Sequence, residues 1–151
     1  MIRTCPACGQ KNRVPPKHLH ETGRCGTCKS PLPPANEPID VDEPTFDSIV
    51  KEAQVPVLAD FWAEWCGPCR IAAPEVKKVA SEMAGRAVVV KVDTEKVPTL
   101  ASRYGIRGIP TFMVFRGGEL AFQQPGLVDS ARMRSWLENP APPSSSATQR
   151  A

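Results

Sequence analysis

From residue 45 onward the apolar residues alternate between helical and extended periods. Phe46, Ile49, Val50 and Ala53 fall on one face of a short helix over 45–53. Residues 55–62 are almost continuously apolar, as expected of a central strand covered on both faces. A helical period returns over 66–83, where Val76, Val79, Ala80 and Met83 sit at i, i+3, i+4 and i+7. Pro74 lies inside that run and is expected to kink it, because the ring removes one backbone donor and crowds the preceding turn. Residues 87–92 read as a second apolar strand and 97–103 as a short helix. Gly117-Gly118 separates two extended runs, 111–116 and 119–124, and predicts a hairpin. Asp129 is placed to cap a last helix with Met133, Trp136 and Leu137 on one face. The order β-α-β-α-β-β-α, after a leading segment, predicts an α/β unit: a mixed central sheet with helices on both faces.

The flanks are different. Residues 1–32 hold few large apolar side chains (Ile2, Val14, Leu19, Leu32) and cannot build a hydrophobic core alone. The proline-rich run from Pro31 to Pro38 reads as a semi-rigid connection. These shifts divide the chain into a small unit over 1–32, a linker over 33–38 and a larger unit over 39–139. Residues 140–151, rich in proline and serine, are expected to be a disordered tail.

The chain has 151 residues, 41% apolar and 23% charged, which suits a soluble globular protein of one ordinary domain plus an appendage. No apolar run approaches the ~20 residues that span a bilayer, so no membrane association is expected. The stretch from Met1 to Cys5 lacks the apolar core of a secretory signal, so a cytoplasmic location is expected. The net charge of +3 is unevenly spread. Residues 1–30 carry Arg3, Lys11, Arg13, Lys17, Arg24 and Lys29 against Glu21, which is +5 and leaves −2 for the rest. No Phe, Trp or Tyr occurs in 1–32 to stack on bases, so nucleic acid is not an expected partner.

All six cysteines fall in Cys-x-x-Cys pairs, and none follows Cys69, so the larger unit has little to staple. Without an export signal, that pattern points to metal binding or redox work. Cys5 and Cys8, then sixteen residues, then Cys25 and Cys28 match a four-cysteine site for one structural Zn²⁺. Each turn would supply two thiolates, and metal binding would supply folding energy that so small a segment lacks. Pro6, Gly9 and Gly26 suit the tight turns around such ligands, whereas His18 and His20 read as exposed loop residues. Two local disulfides or a second redox pair are the alternative; as a zinc site it is expected to be structural or to sense oxidation by releasing its metal.

Cys66 falls where a central strand gives way to a helix. Unpaired N–H groups and the macrodipole at a helix N-terminus favour the thiolate, the attacking species in disulfide exchange. Cys69, one turn deeper, is expected to be less exposed and to resolve the mixed disulfide that Cys66 forms. Pro68 fits the first helical turn, where its missing N–H costs little.

Two motifs at this separation, Asp60-Phe61-Trp62-Ala63-Glu64-Trp65-Cys66-Gly67-Pro68-Cys69 and Tyr104-Gly105-Ile106-Arg107-Gly108-Ile109-Pro110-Thr111, make residues 39–139 resemble the thioredoxin family. A zinc-binding extension ahead of that unit is similar to the thioredoxin-2 class of bacteria. The resemblance implies the thioredoxin fold behind a zinc-ribbon-like domain, and a protein-disulfide reductase acting on disulfide-containing proteins in the bacterial cytoplasm. It implies recharging by a flavin-dependent thioredoxin reductase using NADPH, with no organic cofactor bound to this chain.

For Asp60 the residues alone leave two readings open: a buried carboxyl with a raised pKa, fit to act as a general base, or one reaching solvent at the sheet edge. The resemblance places it behind Cys69, where it helps deprotonate that thiol. On composition Lys91 is a strand lysine pointing outward; the resemblance makes it the buried lysine near Asp60. An X–Pro bond is rarely cis, but Ile109-Pro110 matches the family's cis-proline opposite the dithiol. The resemblance also gives Trp65, Gly67, Pro68, Ile109, Pro110 and Gly126 to substrate binding. Trp62 is expected in the core and Trp65 at the rim.

Overall fold

The computed structural model describes residues 1–139, so the expected disorder of the tail lies outside the described residues. The N-terminal unit is two short antiparallel hairpins. In the first, β1 (Ile2–Thr4) pairs with β2 (Lys11–Arg13); in the second, β3 (Gly23–Arg24) pairs with β4 (Pro31–Leu32). A single 3-10 turn at Pro16–His18 lies between them.

The rest follows the predicted alternation, with one strand added in front: β5 (Ile39–Asp40), α1 (Glu43–Glu52), β6 (Val57–Trp62), α2 (Gly67–Glu82), β7 (Val88–Asp93), α3 (Pro98–Arg103), β8 (Thr111–Arg116), β9 (Glu119–Pro125) and α4 (Ser130–Glu138). The sheet order is β5-β7-β6-β8-β9. β5 and β6 run parallel to β7, while β8 is antiparallel to both β6 and β9. β5 has two residues, too few to establish a period, and only its pairing with β7 makes it a strand.

Capping sets the helix starts. Asp42 accepts a hydrogen bond from the Thr45 amide at 2.9 Å, so α1 begins at Glu43, two residues ahead of the start that its apolar stripe predicts. Asp129 does the same for α4 through the Arg132 amide at 2.9 Å. Pro74 sits inside α2, which continues past it to Glu82.

Strand alternation sorts the core into two layers. Val57, Ala59 and Phe61 of β6 join Phe46, Ile49, Leu100, Val90 and Phe115 beneath α1 and α3. There Phe46 meets the rings of Phe61, Tyr104 and Phe115 at centroid distances of 6.3, 6.0 and 5.5 Å. Leu58 points the other way, into a layer with Ala72, Val76, Val79, Phe112, Met133 and Trp136 beneath α2 and α4. Among the described residues, no helix is long and apolar enough to cross a membrane.

The connection between the two units is packed rather than loose. Leu19, completely buried, belongs to the same apolar layer as Phe46 and Ile49, and Ala35 of the proline-rich run joins it. Met1 and Val14 cover the edge of that layer.

Candidate functional site

Cys66 ends the loop after β6 and is the N-cap of α2. Its sulfur accepts a hydrogen bond from the Cys69 amide at 3.2 Å, so the orphan donors of the helix start point at it. Cys66 and Cys69 are joined as a disulfide, with Cα atoms 5.2 Å apart. Both residues are 4% exposed, so the expected difference in exposure is absent: one bond holds both sulfurs in the same small cluster with Ala63, Trp62 and Ile109. Gly67 and Pro68 form the first turn of α2 between them.

Across from the dithiol, the Ile109–Pro110 peptide is cis, and the Ile109 carbonyl oxygen lies 3.7 Å from Cys66 Sγ. The Pro110 carbonyl accepts from the Gly126 amide at 2.8 Å. Gly126 has φ +97°, a left-handed conformation that favours glycine, and a Cβ there would meet nothing within 4 Å. Trp65 is 66% exposed at the rim. Its indole N–H donates to Glu95 Oε2 at 3.2 Å, a tie from the β7–α3 loop that no local pattern announces.

Asp60 is 2% exposed. Two positions along β6 from Leu58, it faces the α2 side of the sheet, and its Oδ1 has no hydrogen-bond partner among the described residues. Burial pushes its carboxyl up to about 7, against the opposing pull of the Lys91 ammonium. Lys91 is its register partner on β7 and is half-buried on the same face; its Nζ sits 4.3 Å from the Trp62 ring centroid. The buried reading of Asp60 therefore holds, and Lys91 is half-buried with its ammonium over the Trp62 ring.

A second centre lies in the N-terminal unit. The sulfurs of Cys5, Cys8, Cys25 and Cys28 all lie within 4.8 Å of one another. Cys5 and Cys28 are 3.7 Å apart and Cys8 and Cys25 3.6 Å, close to the ~3.8 Å edge of a tetrahedron with Zn–S bonds of ~2.3 Å. The donor set thus fits a tetrahedral thiolate-bound metal. Backbone amides of Cys28 and Thr27 pull the Cys25 thiol down, while Cys8, in spite of a backbone hydrogen bond at Gln10, is pushed up by desolvation and by the neighbouring sulfurs, so the crowded thiols do not ionise alike without a cation among them. His18 and His20 stand outside the cluster, and His18 pairs with Glu21 at 2.9 Å.

The two cysteine turns are copies offset by twenty residues. Cys5 N donates to Gln10 O at 2.8 Å and Cys25 N to Ser30 O at 2.9 Å; Gly9 N donates to Cys5 O at 2.9 Å and Lys29 N to Cys25 O at 3.0 Å. Ala7 and Thr27 amides each donate to the first sulfur of their turn at 3.4 Å. Gly9 and Lys29 occupy the same left-handed position, at φ +79° and +66°. Asn12 reaches across from the first hairpin to the second turn, accepting from the Gly26 amide at 2.9 Å. The repeat was open to a reading of the sequence at an offset of twenty; the role of Asn12 in it was not.

Comparison with known proteins matches both units. The family pattern described as Thioredoxin covers residues 37–139, and the one described as Thioredoxin 2, N-terminal, covers residues 4–30. The chain is 37% identical over 138 residues to Thioredoxin C-3 of Corynebacterium nephridii, covering 91% of this chain and 94% of the relative. It is 47% identical over 98 residues to a Thioredoxin 1 of Nostoc, covering 65% and 92%. A solved thioredoxin variant from Halobacterium salinarum superposes with a TM-score of 0.64 at 36% identity, covering 69% of this chain and 90% of that one.

Proposed function

This chain belongs to the thioredoxin family of thiol–disulfide oxidoreductases, and from that premise we propose that it reduces protein disulfides with Cys66 as nucleophile and Cys69 as resolving thiol. The observation that carries this order is the Cys69 amide aimed at Cys66 Sγ from 3.2 Å, which stabilises negative charge on that sulfur.

In the reduced chain the Cys66 thiolate attacks one sulfur of a substrate disulfide. The substrate S–S bond breaks, its second sulfur leaves as a thiolate and takes up a proton, and a mixed disulfide joins Cys66 to the substrate. Asp60, whose carboxyl titrates near neutrality, accepts the proton of Cys69. The Cys69 thiolate then attacks Cys66 Sγ, forming the intramolecular disulfide and releasing the second substrate thiol. Two electrons pass to the substrate, and Lys91 keeps Asp60 from remaining permanently protonated.

The substrate segment lies extended between the Ile109–Pro110 backbone and Gly126, with Trp65, Gly67 and Pro68 as the opposite wall. The Ile109 carbonyl beside Cys66 supports this placement. A thioredoxin reductase returns the two electrons, as the family membership implies. Cys5, Cys8, Cys25 and Cys28 would hold one Zn²⁺, which supplies folding energy to the N-terminal unit and takes no part in disulfide exchange. The use of four thiols as metal ligands suits a reducing compartment, the bacterial cytoplasm.

Cys66→Ser should abolish reduction of insulin disulfides by dithiothreitol-charged protein. Substantial residual turnover would overturn the assignment.

A further inference from the structure

We propose that Asn12 is a positioning residue of the four-cysteine site, locking the second cysteine turn against the first and donating to the Cys25 sulfur. This rests on the reading of that site as a zinc centre.

The argument starts from the place where the twenty-residue repeat breaks. Adding twenty to each residue number carries Cys5 to Cys25, Pro6 to Gly26 and Asn12 to Leu32. The backbone of the two turns is otherwise matched bond for bond. The two differences are chemically linked. Pro6 has no N–H, so the first turn offers no donor at that position, and the facing side chain from the other hairpin can be apolar. The equivalent of Asn12 is Leu32, which is buried against Cys5 and Cys25.

In the second turn Gly26 does have an N–H, and the facing residue is an amide. Asn12 Oδ1 accepts from Gly26 N at 2.9 Å. Its Nδ2 donates to Gln10 O at 3.1 Å and to Cys25 Sγ at 3.6 Å. Both N–H bonds and the carbonyl of this one side chain are therefore used. They join the strand after the first turn, the backbone of the second turn and one of the sulfurs.

The sulfur in question is special within the cluster. Cys25 is completely buried, and besides the backbone amides of Cys28 and Thr27 its sulfur receives a side-chain donor, Asn12, at 3.6 Å. Cys5, its counterpart, receives the matching Ala7 amide at 3.4 Å and, among the described residues, no side-chain amide. A donor on a thiolate spreads its charge and fixes its lone pairs, which is how partners beyond the ligands tune a metal site. Asn12 thus preorganises the half of the site that its own hairpin does not build.

Zinc affinity of the full-length chain, measured by competition with a chromophoric chelator, tests this. Asn12→Leu should weaken zinc binding roughly 10- to 100-fold, the usual cost of losing such a partner. Asn12→Leu combined with Gly26→Pro copies the pairing of the first turn, removes the orphaned N–H, and should recover part of that loss. With Co²⁺ as the probe, the sulfur-to-metal charge-transfer band of Asn12→Leu should move to lower energy, because a sulfur without its donor is easier to oxidise. Binding by Asn12→Leu within twofold of the wild type, or an unmoved band, would overturn the inference. A wild-type chain that takes up no zinc would instead overturn the zinc reading itself.

Discussion

Asp60 and Lys91 occupy the same register on two parallel neighbouring strands, β6 and β7, on the face of the sheet that α2 covers. Burial drives the carboxyl toward its neutral form and Lys91 pulls it back, leaving it to titrate at about 7. The native state therefore holds a proton on Asp60 between the ordinary carboxylate range and neutrality that the unfolded chain has released. Stability attached to this group is full below about pH 4 and is lost as the pH rises to about 7. Asp60→Asn should stabilise the chain at pH 7.5 by up to about 4 kcal/mol and do little at pH 4. Denaturant unfolding at the two pH values measures this; an equal effect at both would contradict it.

The same pair governs the resolving step. With Asp60→Asn, the pH midpoint for release of a mixed disulfide should rise from near neutrality toward the ordinary thiol range, about 8.5. Lys91→Gln should move the Asp60 titration upward, since it removes the charge that opposes burial. Carboxyl-carbon NMR shifts of Asp60 follow that titration directly, and an unchanged or lowered midpoint would count against the pairing.

Cys69→Ser leaves the Cys66 sulfur with its amide donor but no resolving thiol. Substrates should then accumulate as mixed disulfides on Cys66, visible as thiol-reversible adducts in intact-protein mass spectra. Finding none with an oxidised protein substrate would reverse the proposed order of attack.

Leu19 lies outside the thioredoxin unit in sequence but inside its core, and the Ala35 amide donates to its carbonyl at 2.9 Å. Truncation by Leu19→Ala should cost about 2–5 kcal/mol. Because the layer is shared with Phe46 and Ile49, the loss should appear in the main unfolding transition. A variant whose main transition is unmoved would show that the two units do not share stability.

Replacing Cys5 and Cys8 by serine should remove bound zinc, measured by atomic emission, while insulin reduction at 25 °C keeps most of its rate. The dithiol is built from β6, α2 and the loop before β8, none of which contains a residue of the metal cluster. Full inactivation of a still-folded variant would place the N-terminal unit inside the catalytic machinery.

Much of this protein is written in local pattern. The Cys66-Gly67-Pro68-Cys69 turn, the helix and strand periods and the four spaced cysteines are readable because each depends on residues close along the chain. A helix N-terminus activates Cys66 whatever the sheet order, and two Cys-x-x-Cys turns each bring a pair of sulfur ligands close together. What the tertiary structure decided are the long-range partners. The burial of Asp60 depends on α2 covering the sheet, and its opposing charge on β7 lying beside β6. Leu19 joins a core some thirty residues away, Trp65 is tied to Glu95, and Asn12 reaches a turn built by another hairpin. Spacing cannot reveal these contacts, because their free energy arises only when desolvation and hydrogen bonding bring distant segments together.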